Sequence, residues 1–179
     1  GSGKLIFVQL LNVLLAVATA FFLFALSKEL LPRRLAGIPS LLFLLSPRVA
    51  YYSWTVLSDM LAAFLITASI FALYRALRSH SRLSFFISGL IFGILALTKM
   101  AFLLFLPGLI GIVLVLKLIS GRTKKNLYDI ATVFTTPSRV ALILLGFILA
   151  IAPWLARNAV QFGELTPTVR TGQLISERT

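Results

Sequence analysis

The feature that most constrains this chain is a repeated run of apolar residues without charge, each closed by a small basic group or a proline. Residues 5–27, 60–74, 83–98, 100–116 and 140–156 contain no Asp, Glu, Lys or Arg. A backbone inside hydrocarbon must satisfy its own N–H and C=O groups, and an α-helix of about 20 residues does so while spanning the bilayer core. Runs of this kind predict an all-α fold, a polytopic transmembrane helical bundle.

Composition removes the water-soluble alternative. Of 179 residues, 59% are hydrophobic and 12% charged, with a mean hydropathy of +1.01. An ordinary soluble domain has about 25% charged residues, so this chain has too little polar surface to enclose one small core in water. The net charge of +12 raises nucleic acid as a partner. The basic residues, however, lie in short groups between apolar runs and form no basic helix face. The positive-inside bias of membrane loops accounts for them, and no nucleic-acid partner is expected. The absence of cysteine excludes disulfides and thiolate metal sites, and the single His80 cannot form a multi-histidine site.

The expected spans are 5–31, 35–54, 57–77, 84–98, 102–118 and 140–156, within one transmembrane domain covering 1–179. The first is stopped by Pro32-Arg33-Arg34, and its length exceeds the apolar region of a signal peptide. The second ends near an aromatic belt of Tyr51, Tyr52 and Trp54. The apolar stretch from Phe85 to Leu118 is too long for one ordinary crossing. Thr98-Lys99 and Pro107-Gly108 interrupt it, so it is read as a hairpin of two short arms. The last span is expected to close on Pro153-Trp154. A cytoplasmic loop is expected over 119–139 and an outer tail over 157–179.

A re-entrant hairpin would give five crossings, and a full hairpin gives six. Loop charges separate the two. With six spans, Lys28, Arg33, Arg34, Arg75, Arg78, Arg82, Lys117, Arg122, Lys124, Lys125 and Arg139 fall on one side. Lys4, Arg48, Lys99, Arg157, Arg170 and Arg178 fall on the other. The richer side is cytoplasmic by the positive-inside rule, and both chain ends are expected outside. About six spans is the expectation.

Alternation then gathers Arg48, Asp59, Lys99 and Arg157 at the outer ends of the spans. Asp59 follows Ser58 and has two readings, a helix N-terminal cap or a functional carboxylate beside a span. Lys99 either snorkels to the headgroups or binds an anion as a point charge. Gly89 and Gly93 fit the small-xxx-small pattern and are read as helix packing.

Three segments, taken in order, carry a family likeness: Tyr-Tyr-Ser-Trp-Thr-Val-Leu-Ser-Asp-Met-Leu (51–61), Ser-Gly-Leu-Ile-Phe-Gly-Ile-Leu-Ala-Leu-Thr-Lys (88–99) and Pro-Trp-Leu-Ala-Arg-Asn-Ala-Val-Gln-Phe-Gly (153–163). Nearly the whole chain resembles the polyprenyl-phosphate-dependent membrane glycosyltransferases of the C-type superfold, in the branch of protein O-mannosyltransferases and aminoarabinose transferases. The resemblance implies an integral protein of a prokaryotic inner membrane that transfers a sugar from a polyprenyl-phosphate donor on the outer face. It implies Lys99 and Arg157 as donor phosphate ligands, with Arg48 as a further candidate. Asp59 stands where the family often has glutamate and is an accessory catalytic candidate, orienting an acceptor or a divalent metal. The family's main catalytic aspartate belongs to a loop that would precede Gly1, so the chain is expected to be an internal piece completed by the remainder of the same polypeptide. Membrane lipid is the other expected partner. Two rival readings are a transporter or flippase segment, which predicts polar residues at mid-depth, and a non-catalytic lipid-binding subunit, which predicts that the outer polar residues do not share a site.

Overall fold

A computed structural model describes residues 2–55, 58–105, 108, 111 and 136–163. The chain is an all-α membrane bundle, and among the described residues it forms six helices and one short 3₁₀ turn: α1 (Ser2–Leu30), α2 (Ile38–Leu45), α3 (Pro47–Trp54), α4 (Asp59–Ser79), α5 (Arg82–Thr98), the 3₁₀ turn Met100–Leu104, and α6 (Pro137–Phe162). Among the described residues, Leu5–Leu30, Asp59–Ser79 and Pro137–Gln161 are long and apolar enough to cross a membrane, and α5 is a shorter apolar helix. Large apolar side chains such as Leu14, Phe21, Leu145 and Ile148 face outward. That placement is ordinary where the solvent is lipid.

Two local differences from the expected elements have clear causes. The segment 35–54 is divided at Ser46 into two helices of 8 residues each. Pro47 has no N–H to continue the helix and disfavours helical backbone in the residue before it. Ser46 is accordingly extended, with φ −66° and ψ 125°, while its N–H bonds to the Phe43 carbonyl. The last helix does not close at Pro153-Trp154. It begins at Pro137 and continues through Pro153 to Phe162, ending on Gly163 in the left-handed region (φ 69°) with its N–H on the Ala159 carbonyl. A proline inside a helix removes one backbone bond, and transmembrane helices tolerate it without ending. The expected span 102–118 is described only at Phe102–Phe105, Gly108 and Gly111, and the greater part of 119–139 and of 157–179 lies outside the described residues.

The direction of each helix follows from contacts along its length. Along α1 and α4, Asn12 donates to the Thr55 carbonyl, Ala16 packs with Met60, Phe22 lies edge-on to Phe64 and Phe71, and Glu29 pairs with Arg78. Positions rise together, so α1 and α4 are parallel, and α2 with α3 carries the chain from one end of α1 back towards the other. His80 (φ 53°) and Ser81 then turn the chain sharply into α5. Helices α4 and α5 form an antiparallel hairpin that brings Asp59 to Lys99.

Helices α5 and α6 are also parallel. The Arg139 guanidinium lies over Phe85, Gly89 abuts Ile143, and Gly93 abuts Phe147 and Ala150. A Cβ on Gly89 would collide with the Ile143 carbonyl, and one on Gly146 with the backbone of Phe86 and Leu90. Glycine therefore sets how closely these backbones approach, as the small-xxx-small reading expects. The main core lies between α4, α5 and α6, where Leu65, Leu73, Phe85, Phe92, Leu95 and Ile143 are buried together.

Candidate functional site

Helix directions sort the described charges by end. At one end lie the C-terminus of α1, the α4–α5 turn and the N-terminus of α6, carrying Lys28, Arg33, Arg34, Arg75, Arg78, Arg82 and Arg139 with the single acid Glu29. At the other lie the N-terminus of α4 and the C-termini of α3, α5 and α6, carrying Asp59, Lys99 and Arg157. Exposed Tyr51, Trp54 and Trp154 ring this second end, as aromatic side chains do at a membrane–water boundary.

Here Asp59 and Lys99 form an ion pair, the Lys99 ammonium donating to Asp59 Oδ1. Their side chains are 26% and 40% exposed, so both remain reachable. Asp59 is the first residue of α4, and the Ser58 side chain makes no capping bond. The capping reading with Ser58 assisting is therefore corrected: the carboxylate turns to Lys99 instead. Lys99 follows α5 in extended backbone (φ −142°, ψ 119°), its N–H on the Leu95 carbonyl and its carbonyl accepting from Phe102 N–H. Each charge stands at the helix end whose dipole favours it, the anion at an N-terminus and the cation at a C-terminus, an effect of about 0.3–1 kcal/mol each at exposed sites.

The other two candidates take no part in this ion pair. Arg157 is exposed near the end of α6, its guanidinium 4.9 Å from the Trp154 ring centroid. The parallel α5–α6 packing carries it to the same end as Lys99. Arg48 is exposed in the first turn of α3, next to Val49, which packs on Ala16 and Met60. Among the described residues neither arginine makes an ion pair.

Chemically, the arrangement offers a tethered ammonium. Lysine carries three N–H donors, and one is directed at Asp59, leaving donors for an incoming anion. The second Asp59 oxygen can accept from a hydroxyl. Among the described residues no three His, Asp or Glu side chains gather. A divalent metal at Asp59 would have to find its remaining ligands elsewhere.

Sequence reasoning passed over two residues that hold this corner. Asn12 Nδ2 donates to the Thr55 carbonyl at 2.9 Å, and Gln9 Nε2 donates to the Trp54 carbonyl at 3.3 Å. Both lie one turn apart on α1 and reach the end of α3 just before Asp59. The available signal was an amide in the middle of an apolar run, where polar groups act as interhelical glue.

Comparison with known proteins gives one match. A protein-family model described as dolichyl-phosphate-mannose-protein mannosyltransferase matches residues 2–156. No curated protein matches the chain, and no solved structure does.

Proposed function

The chain belongs to the dolichyl-phosphate-mannose-protein mannosyltransferase family, and from that premise we propose that it forms part of an enzyme transferring a sugar from a polyprenyl-phosphate donor to an acceptor at the outer membrane face. At the coarser level it is an integral membrane glycosyltransferase, and the family brings with it a lipid-linked sugar donor and a lipid setting. The observation that carries the finer reading is the accessible Asp59–Lys99 pair at the end of the bundle with fewer cations. By the positive-inside rule that end is the outer one, here of a prokaryotic inner membrane.

In this reading Lys99 holds the donor phosphate with the donors Asp59 leaves free. As the bond between the anomeric carbon and the phosphate oxygen breaks, negative charge grows on the phosphate, and a fixed cation stabilises it more in the transition state than before. Arg157 supplies a planar fork suited to two phosphate oxygens, and Arg48 is a third cation at the approach. Asp59 orients the Lys99 ammonium and accepts from the acceptor. Deprotonation of the acceptor is not assigned to Asp59, which the Lys99 ammonium already engages.

Helix directions support a six-crossing path. Thr98 and Pro137 lie at opposite ends of the parallel α5–α6 pair, which fits one further crossing between them. The transporter reading needs polar groups presented at mid-depth. Instead the hydroxyls of Thr19, Thr67, Ser69 and Ser88 each bond a carbonyl of their own helix.

The test uses the intact protein in membranes with a polyprenyl-phosphate sugar, comparing Lys99→Ala, Lys99→Arg and Arg157→Ala with the parent. Lys99→Ala should lower transfer about 10²–10³-fold, the scale for losing one preorganised charge-stabilising donor. Lys99→Arg should retain part of the activity, and Arg157→Ala should raise the donor KM. Unchanged transfer and unchanged donor KM in both alanine variants would remove the phosphate assignment.

A further inference from the structure

We propose that Asn12, on a different helix from either charged partner, is the positioning residue that sets the geometry of the Asp59–Lys99 pair. The inference deepens the reading of that site as the phosphate-binding end and rests on it for its link to catalysis, though not for the geometry itself.

Asn12 is 4% exposed within the charge-free stretch 5–27 of α1, where the other polar residues are Gln9, Thr19 and Ser27. Its amide is directed away from α1, with Nδ2 on the Thr55 carbonyl at 2.9 Å. Thr55 is the extended residue that closes α3 (φ −88°, ψ 147°), and Asp59 opens α4 shortly afterwards. One turn further along the same face of α1, Ala16 packs against Met60, the residue after Asp59, with Val49 completing the buried cluster. Asp59 is thus bracketed by two contacts to one helix, a hydrogen bond before it and a packing contact after it. Met60 is 2% exposed in that cluster.

The hydrogen bond matters for direction. The last carbonyls of a helix have no partner within it, and such a group takes a donor from outside the helix. Asn12 supplies that donor to Thr55, while Gln9 supplies one to Trp54 one turn away. Without Asn12 the Thr55 carbonyl would turn to another donor, and the start of α4 would rotate with it. Asp59 is in the first turn of α4, so its carboxylate would swing relative to Lys99, which is held separately by α5. Asn12 touches neither charged group in this account. It acts through the backbone.

The experiment compares Asn12→Leu, Asn12→Ala, Asn12→Gln and Thr19→Val in the intact protein in membranes. Thr19 is equally buried in α1, but its hydroxyl bonds the Leu15 carbonyl of its own helix. The primary readout is the rate at which an amine-acylating reagent modifies Lys99 relative to Lys28, measured by peptide mass spectrometry. Loss of the carboxylate partner should raise the Lys99 rate in Asn12→Leu several-fold, leave it at the parent value in Thr19→Val, and restore it in part in Asn12→Gln. Donor transfer should fall about 10–100-fold in Asn12→Leu, the scale of an ångström-sized misplacement. A parent-like Lys99 rate in Asn12→Leu, or in Asn12→Ala where the leucine variant does not accumulate, overturns the inference. An equal rise in Thr19→Val also overturns it, because general loosening of α1 would then be the cause. A raised Lys99 rate with unchanged transfer upholds the inference and overturns the catalytic reading of Lys99, so the two failures are distinguishable.

Discussion

Two interhelical ion pairs close the two ends of this bundle, and they differ in setting more than in chemistry. Glu29 and Arg78 join α1 to α4 at the end crowded with cations, where the Arg78 side chain is 67% exposed. Asp59 and Lys99 join α4 to α5 at the opposite end, more enclosed and with Arg157 near the end of the neighbouring α6. At the first end the acid is outnumbered, and water and salt screen each pairwise term. Exposed pairs of this sort contribute about 0–1 kcal/mol. At the second end each charge is favoured by its own helix dipole, and one lysine has donors to spare. The difference teaches that an ion pair marks a site through what surrounds it and what it leaves unsatisfied.

The sharpest way to break the comparison is to delete one cation at each end. Lys99→Ala should reduce sugar transfer by about 10²–10³-fold, whereas Arg78→Ala should leave it within about twofold, since an exposed pair contributes little. Equal losses in a transfer assay would show that the two ends are not functionally distinct. Next in size is the parallel α5–α6 contact that brings Arg157 to the Lys99 end. Gly89→Ala drives a methyl into the Ile143 carbonyl, and overpacking of this kind costs about 1–3 kcal/mol. Thermal unfolding of purified protein in detergent should show a lowered midpoint, and a midpoint equal to the parent would mean that the helices are not held so closely.

Smaller still is Asp59→Asn, which keeps the shape and removes the charge. A fall in transfer of about tenfold is expected, the effect of losing one hydrogen bond to a charged group at the lower end of its range, about 1.5 kcal/mol. Transfer at the parent level would confine Asp59 to structure. The smallest effect belongs to Glu29→Gln, which removes the other acid. A stability change below about 1 kcal/mol is expected, and a larger drop in the unfolding midpoint would show that the cation-rich end is held by its pair after all.

Much of this was legible before any helix was placed. The membrane setting and the all-α class could be read from apolar runs broken by isolated charges, and the same breaks singled out Asp59 and Lys99 as candidates. The 35–54 segment was legible only in part. Its apolar character predicts membrane placement, but the break at Ser46 comes from Pro47 acting on a helix too weakly supported to continue. Pro153 shows the reverse, since the same residue type lies inside α6 without ending it. The two helices differ in support, since α2 buries no residue whereas α6 buries Ile143 and Ile151.

What the sequence alone determined is what depends on residue type and order. Transfer of side chains into lipid is nearly a sum over residues, so composition and run length settle that this chain lives in a membrane and is helical. Pairing is not such a sum. That Asp59 turns to Lys99 and not to its own helix end, that α5 and α6 run in the same direction, and that Asn12 reaches across to Thr55 all depend on helix rotation and register. Those follow from many weak contacts made together, with glycines at Gly89 and Gly146 allowing backbones to approach where any larger residue would hold them apart. Only the tertiary structure could bring two charges 40 positions apart in the chain into contact.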